Sequence, residues 1–151
     1  METHEVLNEV TSGLGPELTR WTARAAAGCW AFWLLMVVAG VSGRSRRVVW
    51  TAGLVAHLAH VFCAFHFIHH WSHAEAVLHT ARLTERVTSW SFGQGVWINY
   101  VFTLAWLMDV VWWWSRPVET MRSRGWSVGL HWFFAFLFFN ATVVFGPWGW
   151  K

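Results

Sequence analysis

The stretch that decides the fold is RSRRVVWTAGLVAHLAHVFCAFHFIHHWSH, Arg44 to His73. It opens on three arginines, Arg44, Arg46 and Arg47. It then runs without an acidic or basic side chain other than histidine from Val48 to Ile68. At ~1.5 Å of rise per residue, that run makes a helix as long as the ~30 Å hydrocarbon core of a bilayer is thick. Arginines belong at one membrane surface, and the run ends in histidines at the other. Six histidines lie between His57 and His73. An imidazole in hydrocarbon needs a partner or a role.

Three further apolar runs flank this one: Ala25–Val41, Val96–Trp114 and Val128–Trp148. Hydrophobic residues make up 56% of the 151-residue chain and charged residues only 13%, with fifteen Trp and twelve Phe. This is membrane rather than soluble usage. The first run follows Arg20 and Arg24. Its long acidic lead-in and its "VVAGVSG" end do not match a signal peptide and cleavage site, so it reads as a span. The expected architecture is all-α: a single transmembrane domain over 1–151, with four helices in an up-down bundle. The net charge of +3 comes from arginines placed between the runs. It is a topology signal, and the expected partner is the lipid bilayer, not nucleic acid.

Arg44, Arg46 and Arg47 lie in one connection, and Arg116, Arg122 and Arg124 in another. In a four-span chain these two share a face, which the bias of Lys and Arg assigns to the cytoplasm. Both termini are then extracytoplasmic, as expected for a multi-pass protein of a bacterial inner membrane. Trp50, Trp112, Trp113, Trp114 and Trp126 read as the inner aromatic belt. Trp21, Trp71, Trp90, Trp97, Trp148 and Trp150 read as the outer one. Between the second and third spans, residues 74–88 carry apolar Ala76, Val77, Leu83 and Val87 among polar neighbours. They suggest a short amphipathic surface helix, and "SFGQG" then turns the chain into the third span. Glu2–Val10 suggests another surface helix. The sequon at Asn140 falls inside the fourth span, out of reach of glycosylation. Cys29 and Cys63 are too few for a disulfide framework and read as small buried hydrophobes.

At ~100° per residue the histidines divide into two groups. His66, His69, His70 and His73 share one arc at the outer end of the second span. Four neutral imidazoles there form a candidate face for Cu, Fe or Zn. His79 and Glu75 can fold back from the surface helix to complete the shell, and Asn99 and Tyr100 can support it. The same face also reads as a pH-responsive surface. His57 and His60 lie deeper and point elsewhere. His131 and Asp109 sit at comparable depth in other spans, and a lone Asp at that depth needs a partner. His57, His60, His131 and Asp109 therefore form a second candidate site. It suits a b-type haem with axial histidines, or a proton relay.

"HFIHH", His66 to His70, resembles the HxxHH box of membrane fatty-acid desaturases and hydroxylases. That resemblance implies a di-iron oxygenase. Those enzymes draw ligands from several distant boxes, whereas seven of the nine histidines here lie between His57 and His79. The four-helix, many-histidine layout also resembles cytochrome b561-like and copper-resistance membrane proteins, in architecture alone. There is no nucleophile elbow and no phosphate-binding loop. The expected function is a small integral membrane protein with a histidine-rich metal or b-haem site, for electron transfer or metal handling. The alternative is a non-catalytic subunit that packs against membrane partners or its own copies, with histidines structural or pH-responsive.

Overall fold

The computed structural model describes residues 2–117 and 123–141, with side chains from residue 13 onward apart from Arg124. Every regular element among them is a helix: α1 (Glu2–Val38), α2 (Arg44–Cys63), α3 (His73–Thr88), α4 (Gly95–Trp114) and α5 (Arg124–Phe139). Three helical segments are long and apolar enough to cross a membrane: Gly13–Val38, Arg44–Ile68 and Gly95–Trp114. The first begins well before the expected Ala25. Charges at Glu17, Arg20 and Arg24 mask its start in composition, but Glu17 and Arg20 pair one turn apart at 2.7 Å and the helix runs on. The expected surface helix at Glu2–Val10 is the beginning of this same α1. The apolar part of α5, Gly125–Phe139, is shorter than a span. The remainder of the expected fourth span, with Trp148 and Trp150, lies outside the described residues.

Pro16 sits inside α1 and has no N–H to donate. The hydroxyls of Thr19 and Thr22 bond back to the carbonyls of Gly15 and Leu18 at 2.9 and 2.7 Å. Gly15 is needed for packing: a Cβ there would lie 2.6 Å from the Phe67 ring, just beyond the far end of α2. The α1–α2 turn closes through Val41 N–H on the Met36 carbonyl (2.9 Å), with Gly40 left-handed at φ 69°. This is the closure that favours glycine after a helix. The two helices then pair along their length, and α4 joins them at Gly53. A Cβ on Gly53 would lie 2.8 Å from Trp106 and 3.1 Å from Cys29.

The core between α1, α2, α4 and α5 is mainly aromatic. Trp33, Trp50, Phe102, Trp106, Trp113 and Phe134 are all buried in one cluster. Phe134 of α5 lies 5.1 Å from Trp50, 4.6 Å from Trp106 and 4.4 Å from Phe102, centre to centre. Large rigid rings fill such a space with little rotamer freedom to lose. The outside is just as apolar: Val38 is 87% exposed, Trp132 74% and Met108 68%. Arg47, His57, Thr19 and Asp109 are buried instead. This inverted distribution suits a bilayer, and the chain has the helices of a multi-pass membrane protein. Trp50 and Trp113 thus belong to the core rather than to the expected aromatic belt. Trp112, Trp114 and Trp126 are exposed, as are Trp21, Trp71, Trp90 and Trp97.

α2 does not end cleanly. The chain continues from it into a wider turn, Ala64–Ile68, in which His69 N–H bonds the Ala64 carbonyl five residues back at 3.0 Å. His70 and Trp71 then adopt φ of 47° and 60°, a left-handed region that non-glycine residues seldom occupy. Ser72 restarts the chain as the cap of α3, its Oγ accepting the Glu75 N–H at 3.2 Å. The expected surface helix at 74–88 is therefore present, one residue longer at its start. It rests on the beginning of α4, with Ala76 buried.

Candidate functional site

The break after Ile68 changes the outer histidine group. The expected arc of His66, His69, His70 and His73 assumes a helix that continues through all four, and the helix stops between them. His66 stays on the widened turn and stacks on Phe62, rings 5.8 Å apart and nearly parallel. His70 occupies the left-handed turn and is exposed. His73 opens α3, and its Nδ1 lies 2.9 Å from the Tyr100 hydroxyl of α4. Tyr100 thus meets a histidine that stands apart from the rest.

His69 and His79 do come together. Their ring centres are 5.2 Å apart at 56°, so α3 folds back over the end of α2 as expected. The Nδ1 of His69 is buried with no hydrogen-bond partner. Burial holds His69 below the ordinary 6.5, and His79 and His70 push the same way while the Glu75 carboxylate opposes them. Burial likewise lowers His79, helped by Arg86 and Arg82. Both imidazoles are therefore biased to the neutral form that carries a lone pair for a metal. Among the described residues, no three His, Cys, Asp or Glu side chains are grouped to hold one ion. The six expected outer ligands thus reduce to a close His69–His79 pair with Glu75 in electrostatic range.

The inner group is a chain of polar contacts across three helices. His60 Nδ1 lies 2.9 Å from the Thr19 carbonyl of α1. A carbonyl only accepts, so this nitrogen carries the proton and Nε2 carries the lone pair. His57 Nε2 lies 2.9 Å from Thr103 Oγ1 of α4. That hydroxyl gives its one proton to the Asn99 carbonyl at 2.9 Å. It must accept from His57, so the two histidines hold opposite tautomers, with rings 6.2 Å apart.

Asp109 and His131 lie nearer the arginine end. Asp109 accepts the indole N–H of Trp50 at 2.8 Å and of Trp126 at 3.0 Å. The Trp50 ring also meets His131 edge-on at 5.3 Å, and His131 packs against Trp33 at 4.4 Å. Trp50 is thus the shared neighbour of Asp109 and His131. Trp106 and Phe134, both fully buried, stand between His57 and His131. The ring centres run 5.6, 4.6 and 6.3 Å from one histidine to the other. A haem bridging the two imidazoles would require both rings to move aside.

Sequence reasoning missed Trp50 and Trp126 as the donors to Asp109, and Arg47 as an internal residue. Arg47 is buried, and its guanidinium donates to the carbonyls of Arg116 and Pro117 just beyond α4. It also lies over the Trp113 and Trp114 rings at 5.6 and 5.9 Å. The signal was the single Asp, which demanded donors in a chain rich in indole N–H groups. Cys29 and Cys63 are both free thiols. No protein-family model, no curated protein and no solved structure matches the chain.

Proposed function

We propose that this chain is a small multi-pass membrane protein that handles a transition-metal ion at the water-facing, histidine-rich end of α2. His69 and His79 are its two imidazole ligands, and Glu75 is the nearby carboxylate. One observation carries the reading: the 5.2 Å separation of the two rings. Two imidazoles bound to one tetrahedral ion, with metal–nitrogen distances of about 2.0–2.1 Å, have ring centres on the order of 5 Å apart. The unpartnered, buried Nδ1 of His69 supports it, because such a group costs stability unless something meets it. Two protein ligands leave the remaining positions to water, which suits an exchangeable ion more than a permanently lodged redox centre. A b-type haem between His57 and His131 has less support, given the rings packed between them. The arginine connections face the cytoplasm in this reading, so the metal is met on the outer side.

The test is metal content and affinity of the protein in nanodiscs. After chelator treatment, Zn²⁺ or Cu²⁺ is titrated into the wild type and into His69→Ala, His79→Ala and His73→Ala. One ion per chain is expected, with affinity at least tenfold lower in the first two variants and within about twofold of wild type in the third. Binding that is absent, or that survives loss of both His69 and His79, overturns the reading.

A further inference from the structure

A second site lies at the opposite end of α2. The N-terminal turn of this 20-residue helix begins after Gly43, without a side-chain cap and without an acidic residue. Its orphan N–H groups and the positive end of the helix dipole therefore face outward. Three arginines, Arg44, Arg46 and Arg47, occupy that same turn. Arg47 adds a fourth by gripping the Arg116 carbonyl at 2.9 Å, and the Arg116 guanidinium lies 5.5 Å over Trp112. None of these arginines has a carboxylate within ion-pair distance among the described residues. The Nε atoms of Arg46 and Arg47 are buried and without a hydrogen-bond partner, in a side chain only 2% exposed in the case of Arg47. So much positive charge, with spare donors, calls for an anion.

What the anion belongs to follows from the surface directly beside it. A shallow, open apolar groove of about 480 Å³ starts at Val48 and follows α2 through Ala52 and Ala56 to Ala59. Trp114 lines it at the arginine end and is pinned there by its N–H bond to Thr51 Oγ1 at 2.8 Å. A cationic turn at the mouth of an apolar groove matches one kind of molecule, with an anionic head and a long alkyl tail. We propose that this end of α2 binds an anionic phospholipid, its phosphate on Arg44, Arg46 and the α2 N-terminus and one acyl chain along Val48–Ala59. The arginines that mark topology in the sequence are, in the fold, a headgroup site.

The test is native mass spectrometry of the whole chain in detergent, titrated with phosphatidylglycerol or phosphatidylcholine. Arg44→Gln/Arg46→Gln removes head contacts but spares Arg47, which holds the fold. Ala56→Trp fills the groove. Arg20→Gln, on α1, is the charge control. Wild type should prefer phosphatidylglycerol. The double variant should lose roughly thirtyfold of that preference, at about fivefold for each arginine. Ala56→Trp should weaken retention of both lipids, and Arg20→Gln should change neither. An equal affinity for both lipids in wild type overturns the proposal, as does an unchanged preference in the double variant. Stabilisation by millimolar inorganic phosphate equal to that by phosphatidylglycerol would assign the turn to a free anion and overturn the lipid site.

Discussion

Trp50→Phe isolates the contact that ties three helices together. The substitution keeps an aromatic ring in the stack with Phe134 and Trp106 but deletes the N–H that Asp109 accepts at 2.8 Å. A hydrogen bond to a charged group is worth about 1.5–3 kcal/mol when both sides are buried. The smaller ring leaves a void worth roughly 1 kcal/mol more. The sum of roughly 2.5–4 kcal/mol corresponds to a fall of about 5–16 °C in Tm for a chain of this size. Trp126→Phe deletes the other donor, at a similar 3.0 Å, but Trp126 is 52% exposed while Trp50 is 1% exposed. Water can replace the lost donor at Trp126, so its loss should lie near the ~0.6 kcal/mol average for side-chain bonds within membranes. Thermal unfolding in detergent, followed by circular dichroism, compares the two. In an Asp109→Asn background, where the carboxylate charge is gone, the Trp50→Phe loss should shrink by at least about 1 kcal/mol. Equal shifts for the two tryptophan variants, or additivity of Trp50→Phe with Asp109→Asn, would refute the view that burial around Asp109 sets the strength of this clasp.

The packing at Gly53 makes a second prediction. Gly53→Ala brings a methyl to 2.8 Å from Trp106 and should destabilise by about 1–3 kcal/mol, whereas Gly28→Ala, with open space around its Cβ, should be neutral or up to ~1 kcal/mol stabilising; the same melting experiment decides. The third concerns pH. His69 and His79 both titrate below the ordinary 6.5 in the fold. Between 6.5 and those lower values the unfolded chain binds more protons, so stability is lost as pH falls. Protection factors of the α3 amides, corrected for the intrinsic pH dependence of exchange, should therefore fall between pH 7.5 and 5.5, less so in His79→Gln. Protection factors that rise on acidification would contradict burial as the cause.

The helices themselves were legible because each follows from local pattern. Val48–Ile68 is apolar over a bilayer's thickness, and Ala76, Val77, Leu83 and Val87 among polar neighbours mark α3. The beginning of α1 was hidden because Glu17 and Arg20 read as polar singly and pair only once the helix has formed. The outer histidines leave their common arc for a different reason. A helical wheel assumes continuity, and the widened turn at Ala64–Ile68 with left-handed His70 and Trp71 breaks it. No residue in "HFIHHW" is a glycine or proline that would have signalled a break.

Composition and order of residues alone already imply a helical, membrane-type chain with arginines at one end of α2 and histidines at the other. Hydrophobic length and charge placement are one-dimensional properties, and they survive any folding of the loops. Which polar groups meet emerges from the packing of the helices. It paired His69 with His79, gave His73 to Tyr100, aimed two indoles at Asp109 and buried Arg47 against carbonyls beyond α4. Such pairings depend on how helices far apart in sequence face one another. In a core built of interlocking rings, that is set by shape, which the order of residue types does not display.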